Sequence, residues 1–317
     1  MNNKSSDFSV LFLIFNRPDT TELVFEAIRN AKPKRLFVAA DGPRSNIKGD
    51  VENCEKARAV VARIDWDCEL HTLFRDANLG CRTAVSSAIS WFFGNVEEGI
   101  ILEDDCLPDE SFFPYCLELL EKYRHDERIM HIGGHNFQFG ERIGPASYYF
   151  SQFCHIWGWA SWRRVWALYH ADIPDYPVFS SQDGFEKVFR HSDMRKYYSV
   201  MFEKIYQNKL NTWDLQLLYA ILKNNGLCII PNENLVENIG FTGSGTHTAY
   251  DEFGFIKKMA VGKIYHKLTA NAKNKTKFPL VHPGFMLPEY QADRRYFRNI
   301  AYHFSMRVYL IFLKHFR

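Results

Sequence analysis

The sequence lacks paired cysteines, long apolar runs, repeats and any marked excess of one charge sign. Its seven cysteines (Cys54, Cys68, Cys81, Cys106, Cys116, Cys154 and Cys228) are odd in number and scattered. They form no CxxC pair and show no metal-ligand spacing. That argues against a disulfide framework or a zinc module and for free buried thiols in a reducing compartment. No stretch reaches the roughly 18 successive apolar residues of a membrane span. Met1–Asp7 is polar, without the apolar core of a signal peptide. The expectation is a cytoplasmic protein. A net charge of +2 gives no reason to expect general nucleic-acid binding. What is present is ordinary for a globular chain of 317 residues: 46% hydrophobic and 24% charged. The aromatic share, 16%, is high. Aromatic faces serve sugar rings, although most aromatics are core.

The most informative stretch is Ile100-Ile101-Leu102-Glu103-Asp104-Asp105, an apolar run that ends in three carboxylates. A desolvated carboxylate is costly unless it is paired or neutralised. Three in a row at a strand exit read either as an acidic solvated turn or as a site for a hard cation or polyhydroxyl ligand. Cys106–Phe113 then reads as a turn leading to a helix capped at Asp109 or Ser111.

Upstream, strands and helices alternate. Phe8–Phe15 is nearly all apolar, as in a strand covered on both faces. Asp19 or Thr20 is placed to cap a helix carrying Leu23, Val24, Ala27 and Ile28, which Pro33 ends. Arg35–Ala40 reads as a strand, Glu52–Arg63 as a helix, Glu69–Phe74 as a strand and Cys81–Phe93 as a helix. This β-α-β-α-β-α-β pattern predicts an α/β fold with a mostly parallel sheet and flanking helices. Each strand exit is polar: Asn16 and Arg17, then Asp41, then Arg75, Asp76 and Asn78, then the acidic triplet. Open α/β sheets bind ligands at such exits.

Segment 100–123, IILEDDCLPDESFFPYCLELLEKY, resembles the metal-binding strand and following helix of the inverting, Golgi-type N-acetylglucosaminyltransferases, glycosyltransferases of the GT-A fold. Other segments resemble the family in the same order. They are the strand ending in Asn16-Arg17, Asp41 after the second strand, FCHIWGWASWRRVW at 153–166, and NTWDLQLLYAILKNNGLCIIP at 211–231. The resemblance spans about residues 8–247, and the chain looks like a soluble, bacterial-type relative. It implies a GT-A domain over 1–250, with a donor half to about 125 and an acceptor half beyond. A C-terminal helical extension would cover 251–317. It also implies metal-dependent inverting transfer from a nucleotide-diphosphate sugar, most plausibly a UDP-sugar, to a glycan acceptor, with Mn²⁺ or Mg²⁺.

The resemblance assigns the metal to Asp105 and ribose contacts to Asp104. Glu103 is either a donor-sugar contact or a structural carboxylate. Asn16, Arg17, Asp41, Asn78 and Arg82 fall on the donor side. Arg82 at a helix start either meets a diphosphate or uracil, or pairs with Asp76 or Glu110. Asp214 is either the general base for the acceptor hydroxyl or a helix cap. His247, after the glycines Gly240, Gly243 and Gly245, either joins the metal shell or is structural. Trp157, Gly158 and Trp159, with Trp162, lie on the acceptor side or simply pack. Tyr296–Arg317, with Arg298, Arg307, Lys314 and Arg317, either lies on a membrane surface or docks on the domain. Three rivals remain. A sugar nucleotidyltransferase usually has a Gly-rich loop after the first strand, and Phe15-Asn16-Arg17-Pro18 has no glycine. A metal-dependent phosphatase lacks its DxDxT-like motif here. A non-catalytic binding module would bind without turnover.

Overall fold

The computed structural model describes residues 7–240 and 280–298. His247, most of the Gly-rich segment, the boundary near residue 250 and residues 299–317 lie outside them. The first elements are β1 (Ser9–Ile14), α1 (Pro18–Ala31), β2 (Arg35–Ala40), α2 (Asp50–Ala59), β3 (Glu69–Phe74), α3 (Cys81–Asn95), β4 (Glu98–Glu103), β5 (Cys106–Pro108) and α4 (Phe112–Lys122). Then come β6 (Ile129–Gly133), β7 (Tyr148–Ser151), β8 (Trp159–Trp162), α5 (Arg163–Trp166), α6 (Tyr176–Ser181), α7 (Gly184–Val188) and α8 (Ser192–Tyr206). The series closes with α9 (Asp214–Lys223), β9 (Leu227–Pro231), β10 (Val236–Asn238) and α10 (Tyr290–Tyr296).

One eight-stranded sheet runs in the order β3-β2-β1-β4-β8-β6-β9-β7. β8 and β7 pair antiparallel with their neighbours and the other six strands point one way, so the sheet is mixed and mostly parallel, as expected. β1 and β4 are buried along nearly their whole length, which is why they read as unbroken apolar runs. The chain builds outward from β1 to β3, then jumps back to place β4 on the other side of β1. That reversal puts the topological switch point at the carboxyl ends of β1 and β4, the usual ligand position in such sheets.

Two expectations change. α1 starts at Pro18, with Arg17 at the cap, rather than at Asp19 or Thr20. The fixed φ of proline suits the first helical position, and Thr21 Oγ1 donates back to Arg17 O at 2.7 Å. Cys106–Pro108, read as a turn, is strand β5, because Val236–Asn238 supplies an antiparallel partner far along the chain.

The main core fills both faces of the sheet. A second aromatic cluster, with Phe153, Tyr198, Phe202, Tyr219 and Phe297, lies under α6–α9 and accounts for much of the aromatic excess. α10 closes this side. Ala292, Asp293 and Phe297 are buried, and Tyr296 packs on Phe137 and His155. Tyr296 and Phe297 of the C-terminal run therefore pack on the domain. Among the described residues no helix is long and apolar enough to cross a membrane.

Asp293 is 3% exposed. It accepts from Ser151 Oγ at 2.6 Å and Gln152 N at 3.1 Å. Burial pushes its carboxyl up to about 7, against the two hydrogen bonds. Between the ordinary carboxylate range and pH 7 the folded chain holds this proton and the unfolded chain does not. Stability therefore falls as pH rises through that window, by up to about 1.4 kcal/mol per pH unit. Asp293→Asn is expected to flatten that slope in urea titrations between pH 4 and 7. An unchanged slope would remove Asp293 as the source.

Candidate active site

β1 and β4 are adjacent and parallel, with Leu13 opposite Glu103. Their exits therefore meet. Arg17 donates through Nη1 to Asp105 Oδ2 at 2.8 Å and through Nη2 to Asp104 Oδ1. Phe15 N donates to the other oxygen of Asp104 at 3.1 Å. Asp104 is 2% exposed. Both oxygens of Asp104 are thus engaged inside the protein, and it braces β1 against β4. Burial pushes its carboxyl up to about 6, with Arg17 opposing. Glu103 is pushed further, up to about 8, by burial and then by the charges of Asp105 and Asp104. Arg17 opposes this shift and Asp214 adds to it.

Asp214 reaches this edge through tryptophans. Trp159 of β8 sits opposite Ile101 of β4. Trp213 stacks on Trp159 with ring centroids 6.0 Å apart and planes at 23°. Asp214 follows as the first residue of α9. The cap position belongs to Trp213, and no side chain caps the helix, so Asp214 does not serve as the cap. Its carboxylate accepts from Thr212 Oγ1. Gln216, fully buried, donates to Thr212 O at 2.7 Å and fixes this turn. Trp159 is 1% exposed and Trp162 2%, so neither offers a face to a sugar. For these two, packing is the correct reading, and Trp159 positions Asp214. Gly158 has φ +59°, and a Cβ there would lie 2.7 Å from Val236 Cγ2. Its role is close backbone packing. Trp157 is half-buried beside His135 and Phe137.

The remaining donor-side residues hold loops. Asp41 accepts from Gly42 N and Leu79 N through Oδ1, at 2.9 and 3.0 Å. Its Oδ2 accepts from Asn78 Nδ2 at 3.0 Å and from Gly80 N at 3.2 Å. This fills the carboxylate's acceptor capacity. Asp41 thus clips the β3–α3 turn to the end of β2. Asn16 donates to Asp50 at 2.5 Å. Asp50, 2% exposed, also accepts from Arg44 Nε and Nη2, and these bonds hold it down to about 2. Arg82 donates to Asn208 Oδ1 at 2.6 Å rather than pairing with Asp76 or Glu110. It thereby ties α3 to the loop that leads to Asp214.

Sequence reasoning did not single out Asp50, Cys81 or Thr212. The Cys81 thiol is pushed up to about 12 by burial and then by the charges of Glu103, Asp214 and Asp41. Gly240, at the start of the Gly-rich segment, lies against the acidic end. A Cβ there would collide with Asp105 Oδ2 and lie 2.9 Å from Arg17 Nη1. Ile239 N donates to Asp105 O at 2.8 Å.

A divalent ion can be tested against these donors. Among the described residues no group of three His, Cys, Asp or Glu side chains is placed to hold one. Asp104 and Asp105 already share one cation, the Arg17 guanidinium, and the Gly240 backbone packs against Asp105. Of these side chains Asp105 alone is left to hold an ion, and its other ligands would have to come with a bound molecule.

No family model matches the sequence, and no curated protein does. Solved structures give distant likenesses. UTP-bound UGPase from Acinetobacter baumannii is 8% identical, with 84% of this chain and 100% of that chain covered and a TM-score of 0.37. UDP-glucose pyrophosphorylase complexed with UDP-glucose is 9% identical, with 83% and 99% covered and a TM-score of 0.38. The 4-diphosphocytidyl-2C-methyl-D-erythritol synthase from Anaerococcus prevotii is 8% identical, with 64% and 84% covered and a TM-score of 0.31. At such distance none of their substrates transfers to this chain, and the N-acetylglucosaminyltransferase family is not established by them.

Proposed function

We propose that the chain binds a nucleotide-diphosphate sugar, most plausibly a UDP-sugar, at the β1–β4 crevice and transfers the sugar with inversion to a hydroxyl of a glycan acceptor. The observation that carries this reading is the meeting of two sets of groups at one sheet edge. One is the Arg17–Asp104–Asp105 cluster at the strand exits. The other is Asp214, brought by a separate helix close enough for its charge to act on Glu103. Asp214 takes the acceptor proton as the bond to the anomeric carbon forms and the nucleoside diphosphate leaves. Glu103, whose carboxyl is pushed upward by burial and by the charges of Asp105 and Asp104, can donate a hydrogen bond to a donor hydroxyl when it carries its proton. A divalent ion bound with the donor would be held by Asp105 and would offset the leaving diphosphate's charge. Arg17 contributes positive charge to the same end.

Sugar nucleotidyl transfer is the second reading. It is the class to which a UDP-glucose pyrophosphorylase belongs, and a β1–β4 crevice serves that chemistry too. Against it, β1 passes straight into α1 without a glycine turn, and Asn16 is committed to Asp50. A thermal-shift screen of nucleotide sugars, with and without Mn²⁺, tests binding, since a ligand specific to the folded state raises the melting temperature by RT ln(1 + [L]/Kd). With the hit in hand, release of nucleoside diphosphate marks sugar transfer. Release of pyrophosphate from a nucleoside triphosphate and a sugar phosphate marks nucleotidyl transfer. Binding without either product leaves a non-catalytic module. No melting shift with any nucleotide sugar removes the proposal.

A further inference from the structure

We propose that the cleft between the loop after β6 and α10 seats an oxyanion, a phosphate or a carboxylate, carried by the sugar acceptor. The inference rests on the sugar-transfer reading and names the class of acceptor. The cleft has a volume of about 540 Å³, and its lining includes Gln138, Phe139, Glu141, Arg294, Arg295 and Arg298. Small-molecule sites run from roughly 300 to 1,000 Å³, so the space suits a sugar-sized ligand better than a bare inorganic ion. α10 divides its side chains between inside and outside. Ala292, Asp293 and Phe297 are buried, whereas Arg294 and Arg295 are half-buried and Arg298 is exposed.

Loop and helix are latched together. Gln138, itself buried, donates from Nε2 to Ala292 O at 3.2 Å and accepts at Oε1 from Arg295 Nη1 at 3.2 Å. Glu141 N donates to Gln138 O at 3.1 Å across a turn in which Phe139 has φ +54° and Gly140 φ +87°. A bulky side chain at positive φ costs free energy, and asparagine or glycine usually takes that place. Here the turn sets an aromatic ring beside guanidiniums, a wall that suits a sugar face. Arg294 holds Asp193 by bonds of 3.0 and 3.1 Å, and Arg295 pairs with Glu141 at 2.5 Å. Those carboxylate side chains are 45% and 65% exposed. Ion pairs so open to water contribute little, so an arriving oxyanion exchanges with Glu141 at small cost. A guanidinium has more N–H donors than these bonds use, and its fork matches phosphate and carboxylate alike. Tyr296 links the cleft to the candidate base. It follows Arg295, packs on Phe137 and His155, and lies close enough for the charge of Asp214 to act on it. An acceptor anchored by its anion there is held near the group that takes its proton.

Calorimetry on the full chain tests this, with glucose 6-phosphate, glucuronate and glucose as probes. Both anions are expected to bind more tightly than glucose, with an affinity that falls as salt rises, and saturating UDP is expected to leave them in place. Arg298→Gln removes an exposed charge and is expected to weaken both anions by about 10-fold, and Arg295→Gln by at least as much. If Arg295→Gln does not fold for want of its bonds to Gln138 and Glu141, Arg298→Gln decides. Equal binding of glucose and the two anions, displacement of the anions by UDP, or an unchanged affinity in Arg298→Gln would each overturn the inference. So would sedimentation with phosphatidylglycerol vesicles when neither soluble anion binds, which would make the cleft a lipid contact. Binding of a nucleotide sugar without binding of either anion sinks only this inference. Binding of the anions without any nucleotide sugar removes the acceptor role together with the sugar-transfer reading.

Discussion

Asp214→Asn is expected to fold and to bind donor as the unaltered chain does, yet to lose sugar transfer by about 10²- to 10⁴-fold, the usual contribution of a positioned base. The substitution is mild for the structure. Trp213, not Asp214, holds the cap position, so helix initiation does not depend on the carboxylate. Asn retains an oxygen for the Thr212 hydroxyl. The Trp213–Trp159 stack and the Gln216–Thr212 bond hold the turn in place without it. What Asn cannot do is take a proton. Asp214→Ala should lose the same activity and, by leaving Thr212 Oγ1 without its acceptor, about 1 kcal/mol of stability as well. Initial rates at saturating donor, together with donor affinity by calorimetry, separate a lost base from a lost binding contact. Full transfer by the Asn variant would move the base elsewhere. Glu237 of β10 then comes next among the described residues.

The frame of this site was legible in the sequence, but its wiring was not. β2 and β3 fall on Arg35–Ala40 and Glu69–Phe74 as read, and β1 differs by one residue at each end. Strand segments bounded by turn residues announce themselves locally. That several polar exits share one edge also follows from parallel topology alone. Partner choice does not. Arg17 and Asp105 are 88 residues apart and Asn16 and Asp50 are 34 apart, so each pairing waits on which strands become neighbours. β5 was invisible for the same reason, because its partner β10 lies more than 120 residues further on among the described residues. The carboxylate triplet was read as needing an external cation, whereas the chain supplies a guanidinium from the next strand. The tryptophans were ambiguous in composition and are decided by burial. Trp159 faces His131 on one side and Trp213 on the other, so it carries a catalytic candidate into place instead of presenting a surface.

Gly42→Ala is expected to cost about 3 kcal/mol or more and to unseat the donor side of the crevice. A Cβ at Gly42 would stand 2.5 Å from Ala77 N and 2.6 Å from Ala77 O. These are backbone atoms with no rotamer to yield. The end of β2 and the β3–α3 turn therefore have to move apart. That separation also breaks the clip beside it, in which Asp41 accepts from Asn78 Nδ2, Leu79 N and Gly80 N. Hydrogen bonds to a charged group contribute about 1.5–3 kcal/mol. Asp41→Asn keeps the volume but turns one acceptor into a donor that faces other donors, so it should lose a similar amount without any steric push. Urea unfolding of the two single variants and the double variant tests whether they act on one contact, because losses at one contact add to less than their sum. A contact to the base predicts a different result for Asp41→Asn: an unchanged unfolding midpoint and a loss of discrimination among nucleotides. That pairing of outcomes would return Asp41 to the donor. A lowered midpoint, with nucleotide affinity falling in the same measure for all bases, keeps it as the clip that gives the crevice its floor.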